Sequence, residues 1–258
     1  MFENKPDLIS KIISPALPLY EDEFPIIFFW SPKSGCTSLI KWYFFQLGLL
    51  EKAIEYNPWI HYYRMNIHEQ QENYLQKIKE QLSTGKKAIY KQVRNPYNRA
   101  VSSFFALFAS QDMMDQVFPN GKPNDLSFKK FLYQIKNIGV ERGVMNPHIA
   151  QQYVEGEEEI IKNYVHLECF TTEIRDIEKK YNLLESPIPS IITSHHHRTL
   201  KMTGLDEKTS QEVNASSDVL NEISADYRDY YDHEAIELVS ELFSKDIENY
   251  GYHKKNQI

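Results

Sequence analysis

A continuous run of apolar residues, Pro25 to Trp30, is followed by the polar string SPKSGCTS and then by a segment rich in apolar residues. A run without polar interruption predicts a central parallel strand that is buried on both faces. The segment after the polar string predicts a helix from about Thr37 to Leu50. The first 24 residues mix proline, acidic residues and short apolar pairs, so we expect a lead-in with about one helical turn. The pattern is therefore strand, tight polar loop, helix.

A second strand and helix follow the same plan. The string KAIYKQV, Lys87 to Val93, predicts a strand. Asn95 can cap a helix whose first position is Pro96, because these residue types favour those two positions. That helix is expected to continue to about Ser110.

Weaker patterns predict the remaining elements. Strands are predicted at Trp59 to Tyr63 and Lys162 to Leu167, helices at 69–83, 126–136, 172–181 and 219–250, and loops at 111–125 and 186–204. Because strands alternate with helices, the chain predicts an α/β fold with a central parallel sheet flanked by helices. We expect the 258 residues to form a single domain, preceded by the lead-in.

Composition narrows the class of protein. The net charge of −7 argues against a general nucleic-acid binder, which would carry a basic excess. The two cysteines, Cys36 and Cys169, form no CxxC pair and indicate a reducing, cytoplasmic setting. We expect neither a signal peptide nor a transmembrane helix, because no apolar run approaches 18 residues.

The polar loop contains residue types that bind an anion. Its members are Lys33, Ser34, Gly35, Cys36, Thr37 and Ser38. A loop between a buried strand and a helix collects unpaired N–H groups and the positive end of the helix dipole. Lys33 adds a full charge, Gly35 permits close approach, and the hydroxyl residues add donors. The order is not that of a Walker A motif, in which lysine follows the second glycine. The alternative is an ordinary turn with one solvated lysine.

The second strand end repeats this chemistry. Arg94 stands at the strand terminus, and Ser102 follows eight residues later, about two helical turns away. A guanidinium fork and a hydroxyl suit a second phosphate. The alternative is a capped helix with solvated arginines, and Arg99 is expected to pair with an acid. Because parallel strands end at one edge of a sheet, a ligand with two separated anionic groups would fit there.

These two strings resemble known motifs of the sulfotransferases. PKSGCTS, Pro32 to Ser38, is similar to their 5′-phosphosulfate loop, and RNPYNRAVS, Arg94 to Ser102, is similar to their 3′-phosphate motif. The C-terminal string from Tyr227 to Tyr252 resembles the closing helices of the carbohydrate-type members. The resemblance implies a three-layer, P-loop-like fold and sulfuryl transfer from 3′-phosphoadenosine 5′-phosphosulfate (PAPS), without a metal, to an acceptor hydroxyl, most naturally of a carbohydrate.

The resemblance also assigns roles. Lys33 would contact the bridging oxygen and the sulfuryl group, residues Ser34 to Ser38 would hold the 5′-phosphate, and Arg94 and Ser102 would hold the 3′-phosphate. A late basic loop over the nucleotide corresponds to His195 to Lys201, in which Arg198 is the candidate ligand.

Transfer to a hydroxyl is helped by a general base, usually His or Glu. His61 is the first candidate, because it lies between the two motifs in the predicted strand Trp59 to Tyr63, where related enzymes often place this group. His68 and His148 are alternatives. Two other functions remain open at this point: a nucleotide kinase or NTPase with a variant phosphate loop, and a non-catalytic nucleotide-binding module.

Overall fold

The computed structural model describes residues 5–14, 16–119, 126–192 and 227–252. They fall into two compact units, each described here by itself. The first unit comprises Met1–Arg94 and Val154–Ser194, and the second comprises Asn95–Tyr153 and His195–Ile258.

The first unit contains the sheet. Its strands are β1 (Ile26–Trp30), β2 (Ala88–Val93) and β3 (Asn163–His166). They are parallel, in the order β1-β2-β3, with Trp30 beside Gln92 and Val93 beside His166. The carboxyl ends of all three strands therefore lie at one edge. The parallel α/β architecture is confirmed.

Helices precede, separate and follow these strands along the chain. Those of the first unit are α1 (Lys5–Ile12), α2 (Cys36–Gln46), α3 (Leu50–Tyr56), α4 (His61–Tyr63), α5 (Tyr74–Thr84), α9 (Phe170–Lys180) and α10 (Ile188–Ile192). A π-helical turn, Arg64–His68, follows α4, and 3-10 turns occur at Glu157–Glu159 and Leu167–Cys169.

The side chains of β1 enter two hydrophobic clusters. Ile26, Phe28 and Trp30 belong to one, which includes Trp42, Tyr43 and Phe44 of α2. Ile27 and Phe29 belong to the other, which includes buried residues of α1 and α5. Burial of β1 on both faces is thus confirmed, and the α2 aromatic residues are core. The alternation between the clusters follows from the two-residue period of a strand.

The second unit is helical in its described part. Its helices are α6 (Pro96–Leu107), α7 (Gln111–Val117), α8 (Phe128–Ile138), α11 (His233–Leu242) and α12 (Ser244–Asn249), with a 3-10 turn at Tyr227–Tyr230. Asp246 is fully buried and accepts hydrogen bonds from the amides of Gln152 and Tyr153, at 2.9 and 2.7 Å. Arg99 is also buried and donates to the carbonyl oxygens of Pro147 and Ala150. Arg99 thus holds this loop in place.

The predicted strand from Trp59 to Tyr63 is wrong. The chain instead forms α4 and the π-helical turn that follows it. Its burial pattern has a period near three rather than two, because Ile60, His61, Tyr63 and Arg64 are buried while Tyr62 is exposed. Aromatic residues favour strands on average, but here they pack as a helical face.

Three smaller expectations also change. Among the described strands, β2 rather than β1 is the middle one, and β1 has an isolated antiparallel bridge, Leu19 to Phe28, on its other side. The lead-in contains the full helix α1. The predicted loops contain α7 and α10. Within the described ranges, no helix is long and apolar enough to cross a membrane.

Candidate functional site

The loop after β1 has an unusual backbone. Lys33 and Gly35 both adopt left-handed conformations, with φ of 67° and 84°. Such a φ is rare for a residue with a side chain and costs Lys33 about 1–2 kcal/mol. Ser34, between them, is fully buried, and its hydroxyl donates to the carbonyl of Ser31 at 2.5 Å. The loop is therefore a tight turn whose local strain is compensated by surrounding contacts.

Gly35 occupies a space in which any side chain would force its neighbours to move. A Cβ atom built on it would lie 2.4 Å from Leu167 Cδ1 and 2.7 Å from Gln92 Nε2. Leu167 follows β3 and Gln92 belongs to β2. A side chain of β2 and a side chain of the turn after β3 thus both approach the loop at this one glycine.

Side chains from the end of β2 hold the loop backbone in place. The side-chain amide of Gln92 donates to the carbonyl of Ser34. The guanidinium of Arg94 donates to the carbonyl of Lys33 at 3.0 Å. These two bonds fix the peptide groups on either side of Ser34, so protein side chains set the shape of the turn.

The helix that follows this turn begins without a side-chain cap. Gly35 is the residue at the cap position of α2, and the amides of Ser38 and Leu39 donate to its carbonyl at 3.0 and 3.3 Å. The first amides of a helix have no carbonyl partner within the helix, and its dipole is positive at this end. Such an end favours an anion.

Two cations reinforce this positive end. Burial raises the pKa of the Cys36 thiol, whereas the charges of Lys33 and Arg64 lower it. Arg64 is buried, lies 4.9 Å over the ring of Trp30 and pairs with Glu69. Burial is the larger effect, so the pKa of the Cys36 thiol stays above its ordinary value, but the positive charges of Lys33 and Arg64 both act on the first turn of α2.

Buried donors near this turn fit an anionic group. Trp30 Nε1 and Arg64 Nε are buried and have no hydrogen-bond partner among the described residues. Trp30 is the last residue of β1 and directly precedes the loop. Buried donors are normally satisfied, so these two indicate a polar group that binds beside them.

His61 lies against the same turn. Its Nε2 is 3.5 Å from Thr37 Oγ1 and 3.6 Å from Cys36 Sγ. Its ring lies near two indoles, with centroids 5.8 Å from Trp30 and 5.2 Å from Trp59. The structure thus brings together Cys36, Thr37 and His61, three of the residues singled out in the sequence, although His61 belongs to a helix.

The two alternative histidines have other surroundings. His68 is buried; its Nε2 lies 3.0 Å from the carbonyl of Tyr20 and its Nδ1 lies 3.2 Å from the amide nitrogen of Gln71. Burial lowers the pKa of His68, so the neutral ring donates to Tyr20 and accepts from Gln71. His148 is exposed in the second unit, with its Nδ1 3.0 Å from Asn146 Oδ1.

The remaining predicted ligands are divided between parts of the chain. Arg94 belongs to the first unit, whereas Ser102 is half-buried on α6 in the second. Arg198 and the whole of His195 to Lys201 lie outside the described residues. Ser38 is buried in the first turn of α2.

One ionisable pair at this sheet edge was missed in the sequence. His166 ends β3, and Glu173 of α9 accepts from its amide at 2.7 Å and lies 3.0 Å from its Nδ1. A carboxylate in this position orients the imidazole ring. The available signal was its place at the end of a predicted strand, at the same edge as Lys33 and Arg94. The described residues contain no group of three or more His, Cys, Asp or Glu side chains arranged to hold a metal ion.

Comparison with known proteins identifies the family. The model of the family described as "Sulfotransferase family" matches residues 19–253. No curated protein and no solved structure matches the chain significantly. The match covers most of the chain, including both strand-to-loop motifs, and it agrees with the parallel sheet. The chain therefore belongs to the sulfotransferase family, whose members are transferases.

Proposed function

We propose that this chain transfers a sulfuryl group from PAPS to the hydroxyl of a carbohydrate or glycoconjugate. The observation that supports the proposal most strongly is the turn after β1. It combines left-handed Lys33 and Gly35, a helix start without a side-chain cap, and the charges of Lys33 and Arg64. A doubly anionic phosphosulfate is the group that such a turn would bind best.

The residues of the turn fit the 5′ end of PAPS. When bound, PAPS would supply the sulfuryl group that is transferred. The amides at the start of α2, with the hydroxyls of Thr37 and Ser38, would hold the 5′-phosphate. Lys33 would stabilise the negative charge that grows on the leaving oxygen, a charge that is larger in the transition state than in the ground state.

His61 would act as the general base. It takes the proton of the acceptor hydroxyl as the acceptor oxygen bonds to sulfur and the sulfur–oxygen bond to the nucleotide breaks in line. Its contacts support this role, because Nε2 is the ring nitrogen that faces Thr37 and Cys36. The flanking indoles of Trp30 and Trp59 fix the plane of the ring.

The 3′-phosphate is assigned from the sequence motif. Arg94 and Ser102 are proposed as its ligands, and Arg198 as a late ligand over the nucleotide. Arg94 directly follows the middle strand and donates to the carbonyl of Lys33. This proposed ligand of the 3′-phosphate would therefore also fix the shape of the loop that holds the 5′-phosphate. The two hydrophobic clusters that share the residues of β1 support the further proposal of a three-layer, P-loop-like plan.

Calorimetric titration with 3′,5′-ADP tests the donor assignment. We expect tight binding of 3′,5′-ADP, weaker binding of 5′-AMP, which lacks the 3′-phosphate, and little binding of ATP with Mg²⁺. Arg94→Ala should reduce the preference for 3′,5′-ADP over 5′-AMP by about tenfold or more, because a charged hydrogen bond contributes about 1.5–3 kcal/mol. Lys52→Ala, which removes an exposed lysine from α3, is the matched control and should leave both affinities unchanged.

The opposite preferences would contradict the proposal. Equal or tighter binding of ATP with Mg²⁺ would favour a kinase or NTPase. Tight binding of 3′,5′-ADP without transfer of label from ³⁵S-labelled PAPS to any of a panel of glycans, alcohols and phenols would favour a non-catalytic binding module.

A further inference from the structure

Two exposed aromatic side chains lie close to the candidate base His61, one before it and one after it in the sequence. Trp59 is 39% exposed and Tyr62 is 45% exposed, although both belong to a segment whose other large residues are mostly buried. A single exposed apolar residue needs no explanation, but two exposed rings in contact with each other beside a candidate catalytic residue form a patch of the kind that binds ligands. The name aromatic corner is used below for the side chains of Trp59 and Tyr62.

The geometry of the aromatic corner suits a ring-shaped ligand. The two ring centroids lie 4.9 Å apart and the ring planes meet at 76°, so one ring forms a floor and the other a wall. The backbone holds this arrangement, because the amide of Trp59 donates to Asn57 Oδ1 at 2.8 Å and the amide of Tyr62 donates to the carbonyl of Trp59 at 2.9 Å. A sugar has apolar C–H faces that pack on an aromatic ring and hydroxyls at its edge that reach a phenol, which matches the mixed character of such sites.

The aromatic corner is connected to the anion-binding turn through one side chain. The Trp59 ring lies 5.2 Å from that of His61, and His61 Nε2 lies 3.5 Å from Thr37 Oγ1. A ligand packed on Trp59 would therefore place its hydroxyls next to the ring proposed to deprotonate the acceptor. Of the two indole rings near His61, that of Trp30 is buried and that of Trp59 is exposed, so Trp59 is the one that a ligand in solvent can reach.

The charge of residues 51–72 indicates which class of acceptor would bind. Residues 51–72 contain two basic side chains, Lys52 and Arg64, and four acidic ones, Glu51, Glu55, Glu69 and Glu72. Arg64 is buried and paired with Glu69. A polyanionic glycosaminoglycan needs clustered Lys and Arg residues, whereas this surface has a negative balance.

We infer that the aromatic corner is the acceptor subsite and that it binds an uncharged sugar ring by packing on Trp59 and Tyr62. This inference rests on the proposed function, since it names the acceptor site of that same reaction. Trp59 and Tyr62 are specificity residues, whose role is to hold the acceptor beside His61 and not to take part in the proton transfer.

Ligand-observed NMR with the uncharged disaccharides cellobiose and N-acetyllactosamine, in the presence of saturating 3′,5′-ADP, tests the inference. We expect at least one of them to bind the native chain, Trp59→Ala to weaken that binding about tenfold or more, and Trp59→Phe to retain it within about threefold. Tyr62→Ala should also weaken binding. Tyr56→Ala is the matched control, because Tyr56 is 49% exposed in the same segment but its ring contact is with Tyr63. It should have no effect.

Kinetics supply a second readout once an acceptor is turned over. Trp59→Ala should raise the acceptor KM about tenfold while kcat and the KM for PAPS change less than about twofold, because the lost contact is made equally in the ground and transition states.

Three results would overturn the inference. The first is that Trp59→Ala leaves sugar binding unchanged. The second is that only anionic polymers such as heparosan or chondroitin bind. The third is that no sugar binds a chain that does bind 3′,5′-ADP, which would leave the donor assignment intact. Failure to bind 3′,5′-ADP would overturn the proposed function and this inference together.

Discussion

The helices that follow β1 and β2 begin in opposite ways. At the start of α6, Asn95 accepts a hydrogen bond from the amide of Tyr97 at 2.8 Å, and Pro96 occupies the first helical position. At the start of α2, the cap position is Gly35, which has no side chain to offer. One helix start is capped by a side chain of the protein, whereas the other has no side-chain cap and is the proposed site for the ligand.

The start of α6 contributes mainly to stability, whereas we expect the start of α2 to contribute to ligand binding. Asn95 and Pro96 adopt the conformations that helix starts ordinarily require and contribute to folding. The turn before α2 instead contains two left-handed residues, one of them a lysine, and needs Gln92 and Arg94 to hold it. Strained backbone of this kind is characteristic of binding and catalytic sites.

Removal of the Lys33 charge should have the largest effect. Lys33→Ala is expected to lower kcat on the order of a thousandfold with a smaller change in the KM for PAPS, because the charge acts mainly in the transition state. Steady-state kinetics with labelled PAPS measure this.

A second substitution separates charge from strain. Lys33→Gly suits the φ of 67° at this position and should be at least as stable as the native chain while losing the same activity. If either variant turned over at the native rate, Lys33 would have no catalytic role.

Addition of one methyl group at Gly35 should have the next largest effect. Gly35→Ala must adopt a φ of 84° and place its Cβ 2.4 Å from Leu167 Cδ1. Strain of about 1 kcal/mol and overpacking of about 1–3 kcal/mol together predict a loss of about 2–4 kcal/mol in the free energy of unfolding. Urea denaturation measures this loss, and the double variant with Leu167→Ala should recover part of it. A Gly35→Ala variant as stable as the native chain would show that the turn is not close-packed.

The cap of the other helix provides the contrast. Asn95→Ala should lower the free energy of unfolding by about 1 kcal/mol through loss of the bond to Tyr97. It should affect 3′,5′-ADP affinity much less than Gly35→Ala does. If Asn95→Ala weakened 3′,5′-ADP as strongly as Gly35→Ala, the division between a stabilising and a ligand-binding helix start would be wrong.

The smallest expected effect concerns His68, a histidine whose ring nitrogens both contact protein groups. Burial lowers the pKa of His68 below its ordinary value of 6.5. The unfolded chain therefore takes up the proton first as the pH falls, so the free energy of unfolding should decrease below about pH 6.5 until the lower folded-state pKa is passed. We expect a contribution of less than about 1 kcal/mol between about pH 7.5 and about pH 5.5. His68→Gln should reduce this part of the pH dependence in urea denaturation, and an identical pH profile in the variant would contradict the assignment.

The parts of the fold that could be predicted are those encoded by neighbouring residues. The apolar run of β1, the polar string after it and the Asn95–Pro96 pair each act within a few positions, so strand, loop and helix start were all apparent. The strand predicted from Trp59 to Tyr63 was wrong because aromatic residues favour strands on average. The packing of Tyr63 and His68 on Phe44, which accompanies the helical conformation, was not apparent in the sequence.

The parts of the site that could not be predicted depend on residues far apart in the chain. Gln92 reaches Ser34 across 58 positions, and the contact of Leu167 with Gly35 requires β3 to lie beside β2. The buried ion pair between Lys91 and Glu157, at 2.5 Å, likewise joins residues with no local pattern. The order of the strands determines these contacts, and a single sequence does not reveal that order.

A crystal structure with 3′,5′-ADP would test the central claim most directly. The account predicts that the 5′-phosphate lies against the amides at the start of α2, within hydrogen-bond distance of Thr37 or Ser38, with the Lys33 amine beside the position of the missing sulfuryl group. A 5′-phosphate bound away from the Lys33–Ser38 turn would contradict it.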